Sequence, residues 1–105
     1  MAKPKFSLTA NPTFKALVDV PVPGGKSAAV EFTFKSRTRD EFRLFIDGLG
    51  DRLDVDVIMD MASGWDLEDP FDQANVELLT QNYLGAARAV IEKYLSELTA
   101  ARVGN

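Results

Sequence analysis

Asp54 and Asp56 are the pair most easily imagined in acid–base chemistry, because two neighbouring carboxylates can divide the roles of proton donor and acceptor. Their spacing argues against it. They fall in a segment with helical periodicity, where residues two apart point in different directions. A solvated acidic face is the stronger reading. Asp66-Leu67-Glu68-Asp69-Pro70 has the carboxylate density of a calcium loop. Pro70 takes its fifth position, however, and Phe71 stands where an EF-hand needs glycine. Gly24-Gly25-Lys26 shares residue types with a phosphate loop but lacks the longer Walker spacing. A hairpin turn explains it better. The chain has no cysteine and no histidine, which removes thiolate nucleophiles, Cys/His zinc sites and the side chain most used for proton transfer near neutral pH. No serine has a second orienting partner in view. No catalytic residue, metal ligand or cofactor is assigned.

What remains is surface and shape. The net charge is −4, but it is divided unevenly: residues 1–45 carry +4 and residues 46–105 carry −8. Nine carboxylates crowd between Asp47 and Asp72 against the single cation Arg52. Phosphates would be repelled there, so nucleic acid is not an expected partner. The segment serves either solubility or, more sharply, electrostatic docking of a basic partner. No stretch approaches the roughly 18 apolar residues that a membrane helix requires, so no membrane partner is expected. Met1-Ala2-Lys3-Pro4-Lys5-Phe6 has no apolar run behind its lysines, and no signal peptide is expected. The absence of cysteine fits a reducing compartment.

The elements follow from periodicity. With 105 residues, 46% of them hydrophobic, one domain spanning 1–105 is expected. Residues 1–12, with Pro4 and Pro12, read as a loose arm. Residues 13–20 place Phe14, Ala16, Val18 and Val20 on one face, and residues 28–35 do the same with Val30, Phe32 and Phe34; period two predicts strands. Gly24-Gly25 supplies the turn between them, which makes an antiparallel hairpin over 13–35. The helical part spans 38–102. Thr38-Arg39-Asp40-Glu41 is a capping box, and Phe42, Phe45, Ile46 and Leu49 form the apolar stripe behind it. Asp51 is expected to cap a second helix with the stripe Leu53, Val57, Ile58 and Met61. Asp72 caps a short third, with Val76 and Leu79 inward. Asn82 or Gly85 opens the last helix, with Ala87, Val90, Ile91, Tyr94, Leu95 and Leu98 inward, running to about Arg102. The fold class is α+β: an N-terminal antiparallel β-hairpin followed by a bundle of about four α-helices.

Several short words occur in an order that carries a resemblance over nearly the whole chain. They are Asn11-Pro12-Thr13-Phe14-Lys15, Val22-Pro23-Gly24-Gly25-Lys26, Phe32-Thr33-Phe34-Lys35 and Arg37-Thr38-Arg39-Asp40-Glu41. Gly64-Trp65-Asp66, Asn82-Tyr83, Gly85-Ala86-Ala87-Arg88-Ala89 and Ala101-Arg102…Asn105 complete the series. The chain resembles the tail assembly chaperones of long-tailed bacteriophages and prophages. It departs from that pattern at Leu84, where the family pattern has proline, which leaves open whether the third and fourth helices are continuous.

The resemblance implies a non-enzymatic protein that coats the phage tape measure protein before the tail tube polymerises around it. It also implies that a frameshifted, longer form recruits the tail tube protein. The expected location is the host bacterial cytoplasm, with the protein absent from the mature virion. A small structural tail or head–tail joining protein is the alternative. A homo-oligomer is expected, because a two-stranded hairpin has open edges and an apolar face. Candidate protein-contact residues are Trp65 and Tyr83, whose residue types favour binding hot spots, and Asp54, Asp56 and Asp60 in the acidic segment. For Trp65 the competing reading is a core anchor. An apolar binding surface is expected between the hairpin and the helices.

Overall fold

The computed structural model describes residues 6–99. The outermost residues of the expected arm, and the end of the last helix near Arg102, lie outside the described residues. Residues 6–12 form neither helix nor strand.

The hairpin pairs β1 (Thr13–Val22) with β2 (Lys26–Lys35) in antiparallel register, Thr13 opposite Lys35 and Val22 opposite Lys26. Both strands run two residues closer to the turn than the alternation predicts. Gly24 and Gly25 have φ of 104° and 86°, so the turn needs residues without a Cβ. Val18, Val20, Val30, Phe32 and Phe34 are buried, and Phe14 and Ala16 are partly so.

Helix α1 (Arg39–Gly48) begins at the capping box: the Glu41 amide donates to the Thr38 hydroxyl at 3.2 Å, and the Thr38 amide donates to the Glu41 carboxylate at 2.8 Å. Only Phe45 of its expected stripe is buried. A single 3-10 turn (Leu49–Asp51) then leads to α2 (Asp54–Met61). Here two expectations fail. Asp51 belongs to the turn and does not cap α2; the cap is Leu53, which makes no side-chain cap and is 75% exposed. Val55 is buried in its place, with Val57, Ile58 and Met61. The physical reason is position: α2 packs against α3, α4 and β2, so its apolar residues face several sides and not one stripe.

The segment Ala62–Trp65 is a third strand, β3, which the sequence did not suggest. It joins β2 antiparallel, Phe32 opposite Trp65 and Thr33 opposite Gly64, and gives the strand order β1-β2-β3. One edge of the expected two-stranded hairpin is therefore partly covered. The Asp66 amide then donates to the Glu31 carbonyl at 3.0 Å, while the Asp66 carboxylate accepts from the Glu31 amide at 3.0 Å. Helix α3 (Gln73–Asn82) starts at Asp72, whose carboxylate accepts from the Asn75 amide at 2.9 Å. Helix α4 (Ala86–Thr99) is separate from α3 despite Leu84. The break passes against the hairpin: a Cβ on Gly85 would sit 3.0 Å from Pro21 Cγ, so only glycine fits without a shift.

Ala86, Ala87, Val90 and Tyr94 close the core from α4, with Ile91, Leu95 and Leu98 at its margin. Tyr94 joins an aromatic cluster, with ring centroids 5.2 Å from Phe34 and 5.6 Å from Phe45. Such pairs add roughly 0.5–1.5 kcal/mol each beyond the area they bury. The antiparallel sheet and the helices together make an α+β fold, with three strands where two were expected.

Candidate functional site

The Asp66–Pro70 turn leaves β3 and passes α3, and an open cleft of about 270 Å³ lies between them. Its walls are Trp65 and Leu67 on one side and Leu78, Leu79 and Tyr83 on the other, with Asp69, Asn75 and Asn82 among the polar groups. Trp65 and Tyr83, chosen from residue type alone, thus meet in one place. The space between hairpin and helices, where an apolar surface was expected, is filled by the core; the cleft lies elsewhere, between the Asp66–Pro70 turn and α3.

Trp65 is held from three directions. Its ring meets Phe32 edge-on at 5.9 Å and Phe71 edge-on at 5.1 Å, and its indole N–H donates to the Asp69 carbonyl at 2.7 Å. That last bond folds the acidic turn back over the indole. Asn75 secures the turn from the helix side, its amide group donating to the Pro70 carbonyl at 2.8 Å. Trp65 is therefore only half-buried, at once a margin of the core and a wall of the cleft. Tyr83 is 38% exposed and Leu78 56% exposed, which leaves apolar surface open to solvent on the α3 wall. Asp69 stands exposed at the rim, and its sequence neighbour Glu68 is exposed as well.

The aspartates of α2 have different surroundings. Asp54 and Asp56 are exposed in its first turn, where their charge complements the helix dipole. They line a shallow groove with Gln73, Glu77, Thr80 and Gln81 of α3. Those α3 residues occupy the face opposite Asn75, Leu78, Leu79 and Asn82, so α3 stands between the two aspartates and the cleft. Asp60 does not stand as a free docking carboxylate. It pairs with Arg37 at 3.0 Å and with Arg52 at 2.8 Å. Burial works against its charge, but hydrogen bonds from Arg52 and Arg37 outweigh that, and its pKa is held below the ordinary 3.8. Asp60 belongs to the structural framework, a role its neighbours in sequence could not reveal.

The features that could do chemistry are likewise structural. Gly24-Gly25 forms the hairpin turn and Asp66 and Asp72 satisfy backbone amides. Among the described residues no three acidic side chains converge as a metal ion would require. No described helix is long and apolar enough to cross a membrane. What the cleft offers is an apolar floor with aromatic walls and an acidic rim, an arrangement suited to holding an apolar segment of another protein.

Comparison with curated proteins and with solved structures gave no match. A family model described as phage tail assembly chaperone matches residues 1–105, the full length of the chain. The aromatic cleft, the turn that closes over Trp65 and the hairpin against which Gly85 packs are thus features of a protein that belongs to the phage tail assembly chaperone family.

Proposed function

We propose that this protein assists tail assembly by holding the phage tape measure protein, without catalysis, through the cleft between the Asp66–Pro70 turn and α3. The observation that carries this reading is the exposed apolar wall of Leu78 and Tyr83 opposite Trp65. A long helical client presents apolar side chains at intervals of three and four residues, and an open groove with apolar walls accepts these without reading sequence. Asp69 at the rim, with Glu68 exposed next to it in the turn, favours a client whose apolar residues are flanked by lysine or arginine. The exposed carboxylates Asp54 and Asp56 add to the same negative field from beyond α3 and mainly raise the rate of encounter.

The place of action is the host bacterial cytoplasm, before the tube closes, and the protein is then left out of the mature virion. A frameshifted longer form would add contact with the tail tube protein, and the chaperone acts as a homo-oligomer. The test is co-expression with the tape measure protein. A soluble complex that co-purifies supports the reading, and an insoluble tape measure protein with free chaperone contradicts it. Finding the chain in purified virions in stoichiometric amounts would instead favour a structural tail or head–tail joining part.

A further inference from the structure

Helix α1 has an apolar face that the rest of the chain covers only in part. Phe42, Phe45, Ile46 and Leu49 fall on one side at helical spacing. Phe45 is buried and Leu49 packs partly on the core, but Phe42 does not reach the core and Ile46 is 37% exposed. The uncovered part, Ile46 with the partly buried Phe42 beside it, is where a second surface could add to the burial.

The charges beside this face identify it. Arg43 and Asp47 flank the stripe on one side, a single turn apart, and neither makes an ion pair or side-chain hydrogen bond among the described residues. The other charges of the helix are engaged: Arg39 with Asp40 at 3.4 Å, and Glu41 in the capping box. The positive charge lies toward the N-terminal end of the stripe and the negative charge toward the C-terminal end. Such a face complements itself when a second copy crosses it antiparallel on a two-fold axis near Phe45 and Ile46. Arg43 of each copy then stands opposite Asp47 of the other, Ile46 meets the second copy's Ile46, and Phe42 covers the second copy's Leu49.

We infer that α1 is a homodimer interface, in which the Phe42–Ile46–Leu49 stripe of two copies pairs antiparallel with reciprocal Arg43–Asp47 contacts. The free edge of β1 fits this role less well. It carries Lys15, Asp19 and, near its end, Pro21, which lacks a backbone donor, and such residues discourage strand-to-strand association. The α1 interface stands apart from the cleft, so its failure would leave client binding untouched.

Sedimentation velocity on the full chain tests it. The wild-type chain is expected to show a concentration-dependent dimer. Arg43→Asp and Asp47→Arg, each alone, place like charges at both symmetric contacts and should weaken association about tenfold or more. Mixing the two variants in equal amounts should restore the dimer, because each supplies the charge that the other lacks. Ile46→Asp should give monomer with an unchanged circular dichroism spectrum. A wild-type chain that stays monomeric overturns the inference. So do single variants that associate as tightly as wild type, a mixture no tighter than its components, or a dimer that survives Ile46→Asp.

Discussion

The Arg37 guanidinium donates to the Tyr94 hydroxyl at 2.8 Å, and that hydroxyl donates in turn to the Lys35 carbonyl at 2.7 Å. The pair ties the end of β2 to the last helix across more than half the chain. Arg37 also donates to the Asp60 carbonyl at 3.0 Å and lies 4.4 Å from the centre of the Phe45 ring. One cation therefore connects β2, α1, α2 and α4. Burial disfavours its charge, but the hydrogen bonds to Asp60 and Tyr94 outweigh this and its pKa is raised.

Replacing Tyr94 with phenylalanine keeps the ring packing and removes both hydroxyl bonds. It leaves the Lys35 carbonyl and one Arg37 N–H without these partners. The expected loss is about 1–3 kcal/mol in urea unfolding. A loss no larger than about 0.5 kcal/mol, typical of surface substitutions, would show that water replaces the hydroxyl.

Asp60 gives the acid limb of stability. Its folded pKa is lowered, so the unfolded chain binds the proton more readily. Its contribution is complete above the unfolded value near 3.8 and is lost as pH falls through the lower folded value. Asp60→Asn should cost about 1–2 kcal/mol at pH 7, discounted for the partial exposure of its carboxylate. The difference from wild type should shrink once pH falls below about 3.8. A difference that stays constant to pH 2 would assign the effect to packing.

Gly85→Ala should destabilise by roughly 1 kcal/mol or more, because the added methyl meets the stiff Pro21 ring at the break between α3 and α4. Pairing it with Pro21→Ala should recover part of the loss, as a double-mutant cycle would report. Equal losses in both backgrounds would show that contact with Pro21 is not the source of the cost.

The hairpin, the capping box and the Asp72 cap were legible because each rests on local chemistry: strict alternation, paired glycines, a side chain within reach of its own first turn. Strand β3 was not. Ala62–Trp65 has too few residues for a periodic signal and becomes a strand only because β2 offers an open edge at Phe32–Phe34. The start of α2 was misplaced for a related reason. Leu53 and Val55 are equally apolar in sequence, and only the arrangement of α3 and α4 decides which is covered. Trp65 and Tyr83 could be named from residue type. Their meeting in one cleft depends on the Trp65–Asp69 bond that folds the turn, and Asp60 looks like a surface charge in sequence because its partner Arg37 is distant there.

Charge and apolar contact should separate kinetically in client binding. Replacing Asp54 and Asp56 together with asparagine should slow association with the tape measure protein and flatten its salt dependence, leaving dissociation nearly unchanged. Asp60 is omitted because its replacement also disturbs the fold. An unchanged on-rate and salt slope would make the acidic segment a solubility device.

Leu78 gives the most direct test of the cleft, since it is 56% exposed and, unlike Trp65, does not also support the core. The decisive measurement is the dissociation rate of the tape measure protein from wild-type chain and from Leu78→Asp, with urea unfolding run on both. The expected result is a dissociation rate at least about tenfold faster, equivalent to about 1.4 kcal/mol, with stability changed by no more than about 0.5 kcal/mol. An unchanged dissociation rate from a folded Leu78→Asp chain would contradict the cleft as the client site.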